Sequence, residues 1–222
     1  MIEAVIFDCD GVLVDSEVLS IEVELAALAE IGLHYSRSEF TGRFTGLSTG
    51  AFFSTLEKES HQRLGRGFPD GFIDSCHAKY RAAFERLAEV PGARNAICTV
   101  ALPKAVASSS TSEQLAAKLK KVGLWDLFAP HIYSADHVTH AKPAPDLFLH
   151  AAKEIGIDPS ACLVLEDSIN GVTAARAAGM RVWGFAGGGH MNGEASARLL
   201  AAGAERVLVD WADASDAIAG LR

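Results

Sequence analysis

The sequence lacks the features that would place it in several broad protein classes. Charged residues interrupt every apolar segment of the 222-residue chain, so no run approaches the ~20 apolar residues that a membrane-spanning helix needs. A basic stripe is also missing. Its 28 acidic residues against 20 lysines and arginines leave a formal charge of −8, which argues against a nucleic-acid binder but leaves an anionic small molecule open. Cysteine is sparse: Cys9, Cys76, Cys98 and Cys162 are widely spaced and form no C-x-x-C pair, so they read as buried reduced thiols rather than disulfides or a zinc site. The eight histidines have no H-x-x-x-H spacing, which also argues against zinc. The opening MIEAVIFD has neither the basic region nor the small-residue cleavage site of a secretory signal, and is read as the first strand of a cytoplasmic protein.

What is present is an alternation of short apolar runs with helical patterns. AVIFDCD, closed by Gly11, suits a strand buried on both faces of a parallel sheet. Further strands are expected at KAVASS (104–109), HIYSAD (131–136), CLVLED (162–167), RVWGFA (181–186) and RVLVD (206–210), with helical segments such as SEQLAAKLKKVGL and PDLFLHAAKEIGI between them. From Glu17 to Ile31 apolar residues recur at helical spacing up to Gly32, and the helical texture continues to about residue 87 with a break at GRGFPDG. The pattern predicts a doubly wound α/β domain with a mostly parallel, Rossmann-like sheet, formed by 1–15 and 88–222. An α-helical unit at 16–87 is inserted after the first strand. Monomer is the default expectation for the assembly.

Ligands of open α/β sheets collect at the carboxyl ends of the strands. Those ends carry Asp8 and Asp10, the run Ser108-Ser109-Ser110, and Glu166-Asp167, while Lys142 follows HIYSAD. Each has a plainer explanation. The two aspartates can begin a solvated turn, Glu166-Asp167 can be an acid pair at a helix N-terminus, one of Ser108 to Ser112 can cap a helix, and Lys142 can be an exposed lysine before a proline. The loop AGGGHMNGE fails the G-x-G-x-x-G dinucleotide pattern because Asn192 takes the third glycine position, and it is expected as a mobile loop at the site rim.

Taken together, FDCDGVLVDSE, ASSS, AKPAPDLFLHAAKEIG and LVLEDSINGVTAARAAGM resemble, in this order, the four motifs of the haloacid-dehalogenase-like hydrolases. The likeness is to the branch of sugar-phosphate phosphatases and β-phosphoglucomutase-like enzymes that carry a helical cap after the first strand. It implies Asp8 as a nucleophile forming an aspartyl-phosphate, Asp10 as general acid and base, Ser108 as a hydrogen-bond donor to the phosphoryl group and Lys142 as its neutralising cation. It also implies Mg²⁺ held by Asp8, the Asp10 carbonyl and Asp167, with Glu166 as a further contact, direct or through water. Cys9, a poor Mg²⁺ ligand, is expected to point into the core. Ser109, Arg43, Thr45, Ser48 and Thr49 are candidate substrate contacts, although Arg43 could equally lie on a solvated helix face.

The mutases of that branch carry a histidine where this chain has Ser20, and basic residues where it has Thr45 and Thr49. Hydrolysis of a small phosphorylated metabolite is therefore expected over mutase turnover. The resemblance also implies that the cap opens for substrate and closes before chemistry. A metal-independent 2-haloacid dehalogenase is disfavoured by Asp10, and a non-catalytic phosphosugar-binding module is the remaining alternative.

Overall fold

The computed structural model describes residues 1–44, 49–191 and 193–221. By its contacts the chain divides into two compact units, Met1–Asp15 with Leu87–Arg222, and Ser16–Arg86.

The first unit is built on β1 (Ala4–Phe7). After the inserted unit come α5 (Ala93–Thr99), β2 (Lys104–Ser108), α6 (Ser112–Lys121), α7 (Trp125–Phe128), β3 (Ile132–Ser134) and α8 (Asp146–Ile155). They are followed by β4 (Cys162–Glu166), α9 (Ile169–Ala177), β5 (Arg181–Phe185), α10 (Ala195–Ala201), β6 (Val207–Leu208) and α11 (Trp211–Ala219). All strand pairs are parallel, in the order β3-β2-β1-β4-β5-β6. The chain moves outward from β1 to β3 and then crosses back to β4, so the switch point lies beside β1, where Phe7 pairs with both Val106 and Leu165.

Every residue of β1 is buried, which is why its sequence is apolar throughout rather than alternating. Ala4 and Ile6 face a core completed by Leu147 and Phe148 of α8 and Val172 of α9. Phe7 meets Phe128 and Trp211, with ring centroids 5.7 and 6.0 Å away, and the Trp211 indole N–H donates to the Val12 carbonyl at 2.9 Å. Truncating an aromatic of this kind costs about 3 to 5 kcal/mol, so the residues that hold β1 also hold the acids at its end.

The second unit contains α1 (Ser16–Glu30), α2 (Arg37–Phe44), α3 (Thr49–Leu64) and α4 (Phe72–Ala83) around Leu28, Phe40, Phe44, Phe52, Leu56 and Phe72. Its aromatic rings meet largely edge to face, as with Phe44 and Phe52 at 5.7 Å and 90°.

Several local expectations are corrected. HIYSAD forms a strand of only three residues, because the Ser134 hydroxyl accepts from the Asp136 N–H and turns the chain into a short 3₁₀ turn. RVLVD is cut to two residues, since Asp210 caps α11 by accepting from the Asp213 N–H at 2.8 Å. Helices α5 and α11, not foreseen in the sequence, pack against each other. All four cysteines are free, but Cys98 is exposed on α5 rather than buried.

Candidate active site

Asp8 follows the last residue of β1, and its backbone N–H donates to the Leu165 carbonyl of β4 at 2.9 Å. Its side chain is almost buried. The Lys142 ammonium reaches it from the loop before α8, donating to Asp8 Oδ1 at 2.6 Å, to Glu166 Oε1 at 2.7 Å and to the Ala107 carbonyl at 3.0 Å. Three acceptors match the three N–H bonds of an ammonium, and the lysine side chain is only 3% exposed. Lys142 is therefore no surface lysine before a proline. Burial works against its charge, but the Asp8 and Glu166 carboxylates outweigh that effect and raise its pKa above the ordinary value. Burial pushes the Asp8 carboxyl well up; Lys142 opposes this, while Glu166, Asp167 and Asp10 push it further up.

Glu166 ends β4 and has both oxygens engaged. Oε1 is held by Lys142, and Oε2 accepts from the Ser168 N–H at 2.7 Å and its hydroxyl at 2.9 Å. Ser168 is in turn the N-cap of α9, accepting from the Gly171 N–H at 3.0 Å. Both Glu166 oxygens are thus engaged by protein donors, an arrangement that orients Lys142 and leaves the expected metal contact, direct or through water, to the lone pairs that remain.

Asp10 sits two residues beyond Asp8, with the buried Cys9 between them turned inward. Asp10 Oδ1 accepts from the Lys118 ammonium at 2.5 Å, and Oδ2 accepts from the Ser110 hydroxyl at 2.9 Å and the Ser108 hydroxyl at 3.4 Å. Ser108 is fully buried at the end of β2, and its oxygen also accepts from the Ser110 N–H at 3.1 Å. Capping of α6 falls to Thr111, in a capping box with Gln114, which leaves Ser108 for the site. Ser109 is exposed beside it.

Asp167 lies just past β4, and its Oδ2 is 3.3 Å from His190 Nε2. The AGGGH loop is thus packed inward rather than forming a loose rim. His190 is buried, and the Gly189 N–H donates to Asp15 Oδ1 at 3.2 Å. Gly11 makes the approach possible: its φ is +75°, and a Cβ there would lie 1.8 Å from Asp167 Oδ2.

Asp8, Asp10 and Asp167 present oxygen only, a donor set for a hard cation. Beside burial, which Lys142 opposes, Glu166, Asp167 and Asp10 repel the Asp8 carboxylate, and a divalent cation would relieve that repulsion. Among the described residues no three His, Cys, Asp or Glu side chains form a cage by themselves. A cation here would complete its shell with backbone oxygen and water, as Mg²⁺ commonly does. On these grounds the residues fit Mg²⁺.

The candidate contacts of the helical unit are of another kind. Arg43 is committed within its own unit: it pairs with Glu39 and Glu59 and lies 5.0 Å from the Phe44 ring centroid. Thr45 and Ser48 fall outside the described residues, as does the Thr49 side chain.

Sequence reading missed Lys118, Ser168 and His190, and named Ser110 only as part of the serine run at the end of the second strand. Lys118 sits among the basic residues of the last turn of α6, where helices ordinarily carry cations, so nothing set it apart. The triple glycine before His190 was a usable signal of close backbone approach.

This arrangement of strand-end acids around a buried lysine coincides with a family match. A model of the haloacid dehalogenase-like hydrolases matches residues 2–179. The chain belongs to the haloacid dehalogenase-like hydrolase family. This hydrolase is 32% identical over 182 residues to hexitol phosphatase B of Escherichia coli strain K12, covering 80% of this chain and 81% of that one. It is 28% identical over 194 residues to the 6-phosphogluconate phosphatase of the same strain, covering 85% of each. A HAD family hydrolase from Deinococcus radiodurans R1, solved with bound phosphate and sodium, superposes with a TM-score of 0.89 at 35% identity, covering 99% of this chain and 96% of that one.

Proposed function

We propose that this hydrolase is a Mg²⁺-dependent phosphatase that cleaves a small phosphomonoester, a sugar phosphate or related metabolite, through an aspartyl-phosphate on Asp8. The observation that carries the reading is the buried Asp8 carboxylate at the end of β1, fixed by Lys142, which Glu166 in turn holds. The named phosphatase relatives and the phosphate bound by the Deinococcus hydrolase support it.

In the first half-reaction an Asp8 oxygen bonds to phosphorus as the ester P–O bond breaks, and Asp10 gives its proton to the leaving oxygen. In the second, Asp10 takes a proton from water, whose oxygen attacks phosphorus; the bond to Asp8 breaks and inorganic phosphate leaves. Lys142 holds Asp8 and offsets the charge drawn into the site. Ser108 offers its hydroxyl to the transferring group, and the exposed Ser109 is an adjacent substrate contact. Asp8, the Asp10 carbonyl and Asp167 would hold Mg²⁺, which when bound supplies the charge that lets a phosphate approach several carboxylates. Ser20 on α1 carries no imidazole, which favours hydrolysis over mutase turnover.

The test is phosphate release from a panel of phosphorylated metabolites. Release should require Mg²⁺, stop with EDTA and fall by orders of magnitude in Asp8→Asn. Conversion of β-glucose 1-phosphate to glucose 6-phosphate without phosphate release, or metal-independent halide release from a 2-haloacid, would overturn it.

A further inference from the structure

We propose that Lys118 and Ser110 form a clamp that positions the Asp10 carboxyl for proton transfer to the leaving oxygen. The proposal rests on the phosphatase reading, in which Asp10 is the acid and base. Lys118 reaches Asp10 from α6, and its ammonium donates both to Asp10 Oδ1 at 2.5 Å and to Ser110 Oγ at 3.0 Å. Ser110 donates to the other oxygen, Oδ2, at 2.9 Å, so lysine, serine and carboxylate close a three-membered ring of contacts. The Lys118 side chain is only 13% exposed, so this is not a solvated surface pair.

The two sides of the clamp differ chemically. An ammonium can only donate, whereas a serine hydroxyl donates or accepts as it rotates. Lys118 therefore fixes Oδ1, while Oδ2 lies against the Ser110 and Ser108 hydroxyls, and Ser108 is the proposed phosphoryl contact. As an Asp8 oxygen bonds to phosphorus, the electron pair of the breaking ester bond passes to the leaving oxygen, which takes the proton from Asp10. Asp10 is left as a carboxylate against the Lys118 ammonium, which stabilises the charge just formed. Lys118 acts only through Asp10 and is a positioning residue.

A basic leaving group needs this proton more than an acidic one. The experiment compares kcat/KM, which reports the first half-reaction, for phenyl phosphate and 4-nitrophenyl phosphate in wild type, Lys118→Met, Lys118→Arg, Ser110→Ala and Asp10→Asn. Lys118→Met should lose about 10²-fold on phenyl phosphate and only a few-fold on 4-nitrophenyl phosphate. Lys118→Arg should recover part of the loss, and Ser110→Ala should show a weaker form of the same selectivity. Equal loss on both esters in a Lys118→Met protein that melts like wild type, or no loss on either, would overturn the clamp. If Lys118→Met fails to fold, Lys118→Arg and Ser110→Ala decide: absence of selectivity in both overturns it. Lack of selectivity in Asp10→Asn would instead remove the acid reading of Asp10 and the clamp with it, while phosphate release sensitive to Asp8→Asn would leave the nucleophile standing.

Discussion

Lys142 shows how one side chain can hold a site together. It is an ammonium with all three donors used, two of them on buried carboxylates, so its removal leaves two buried negative charges facing each other. Breaking such a pair costs about 3 to 5 kcal/mol, whereas an exposed pair is worth about 1 kcal/mol or less. Lys142→Met should therefore abolish phosphate release and also lower unfolding free energy by the larger amount, as read by chemical denaturation at neutral pH. A loss under ~1 kcal/mol would show that the lysine is not buried among its acids as described. The motif letters K-P could not convey this, since the acids that make Lys142 unusual lie 134 and 24 positions away in sequence.

Strand ends and helix starts do the positioning, and α9 illustrates it. Gly171 stands in its first turn, where alanine would ordinarily add about 1 kcal/mol of stability. Here a Cβ at that position would fall 1.7 Å from Glu166 Oε1, a buried oxygen already bonded to Lys142. The steric conflict outweighs the propensity gain, and Gly171→Ala should lower stability by about 1 to 3 kcal/mol, measured by thermal or denaturant unfolding. A more stable variant would contradict the placement of Glu166. The strands were legible as apolar runs because a parallel sheet covered by helices needs no polar face. The shortness of β3 and β6 was not, because Ser134 and Asp210 end them through caps that resemble ordinary strand-end polar residues.

Over the whole molecule, stability should also carry a pH dependence that originates in the helical unit. Glu24 of α1 borders a cleft walled by Leu28, Phe52, Phe53 and Phe72. Burial, aided by repulsion from Glu17, raises its pKa from 4.5 to about 7. A raised carboxyl pKa means that the folded state binds the proton more tightly than the unfolded chain. The associated stability is full below pH 4.5 and is lost as pH rises toward about 7. Glu24→Gln should thus match wild type in acid and exceed it by on the order of 1 to 2 kcal/mol above neutrality, in denaturant unfolding across pH. An unchanged difference between the two proteins over that range would refute the assignment.

The α/β alternation, the inserted helical segment and the strand-end acids Asp8, Asp10 and Asp167 could be read from the chain because each signal is local: a run, a period or a pair of neighbouring letters. Folding alone decided that Lys118 meets Asp10 across 108 positions, that His190 turns inward onto Asp167, and that Glu166 spends both oxygens on protein donors. The physical reason is that a charged side chain acquires its role from the partners that share its burial. Those partners are gathered by a parallel sheet whose neighbouring strands are far apart in sequence.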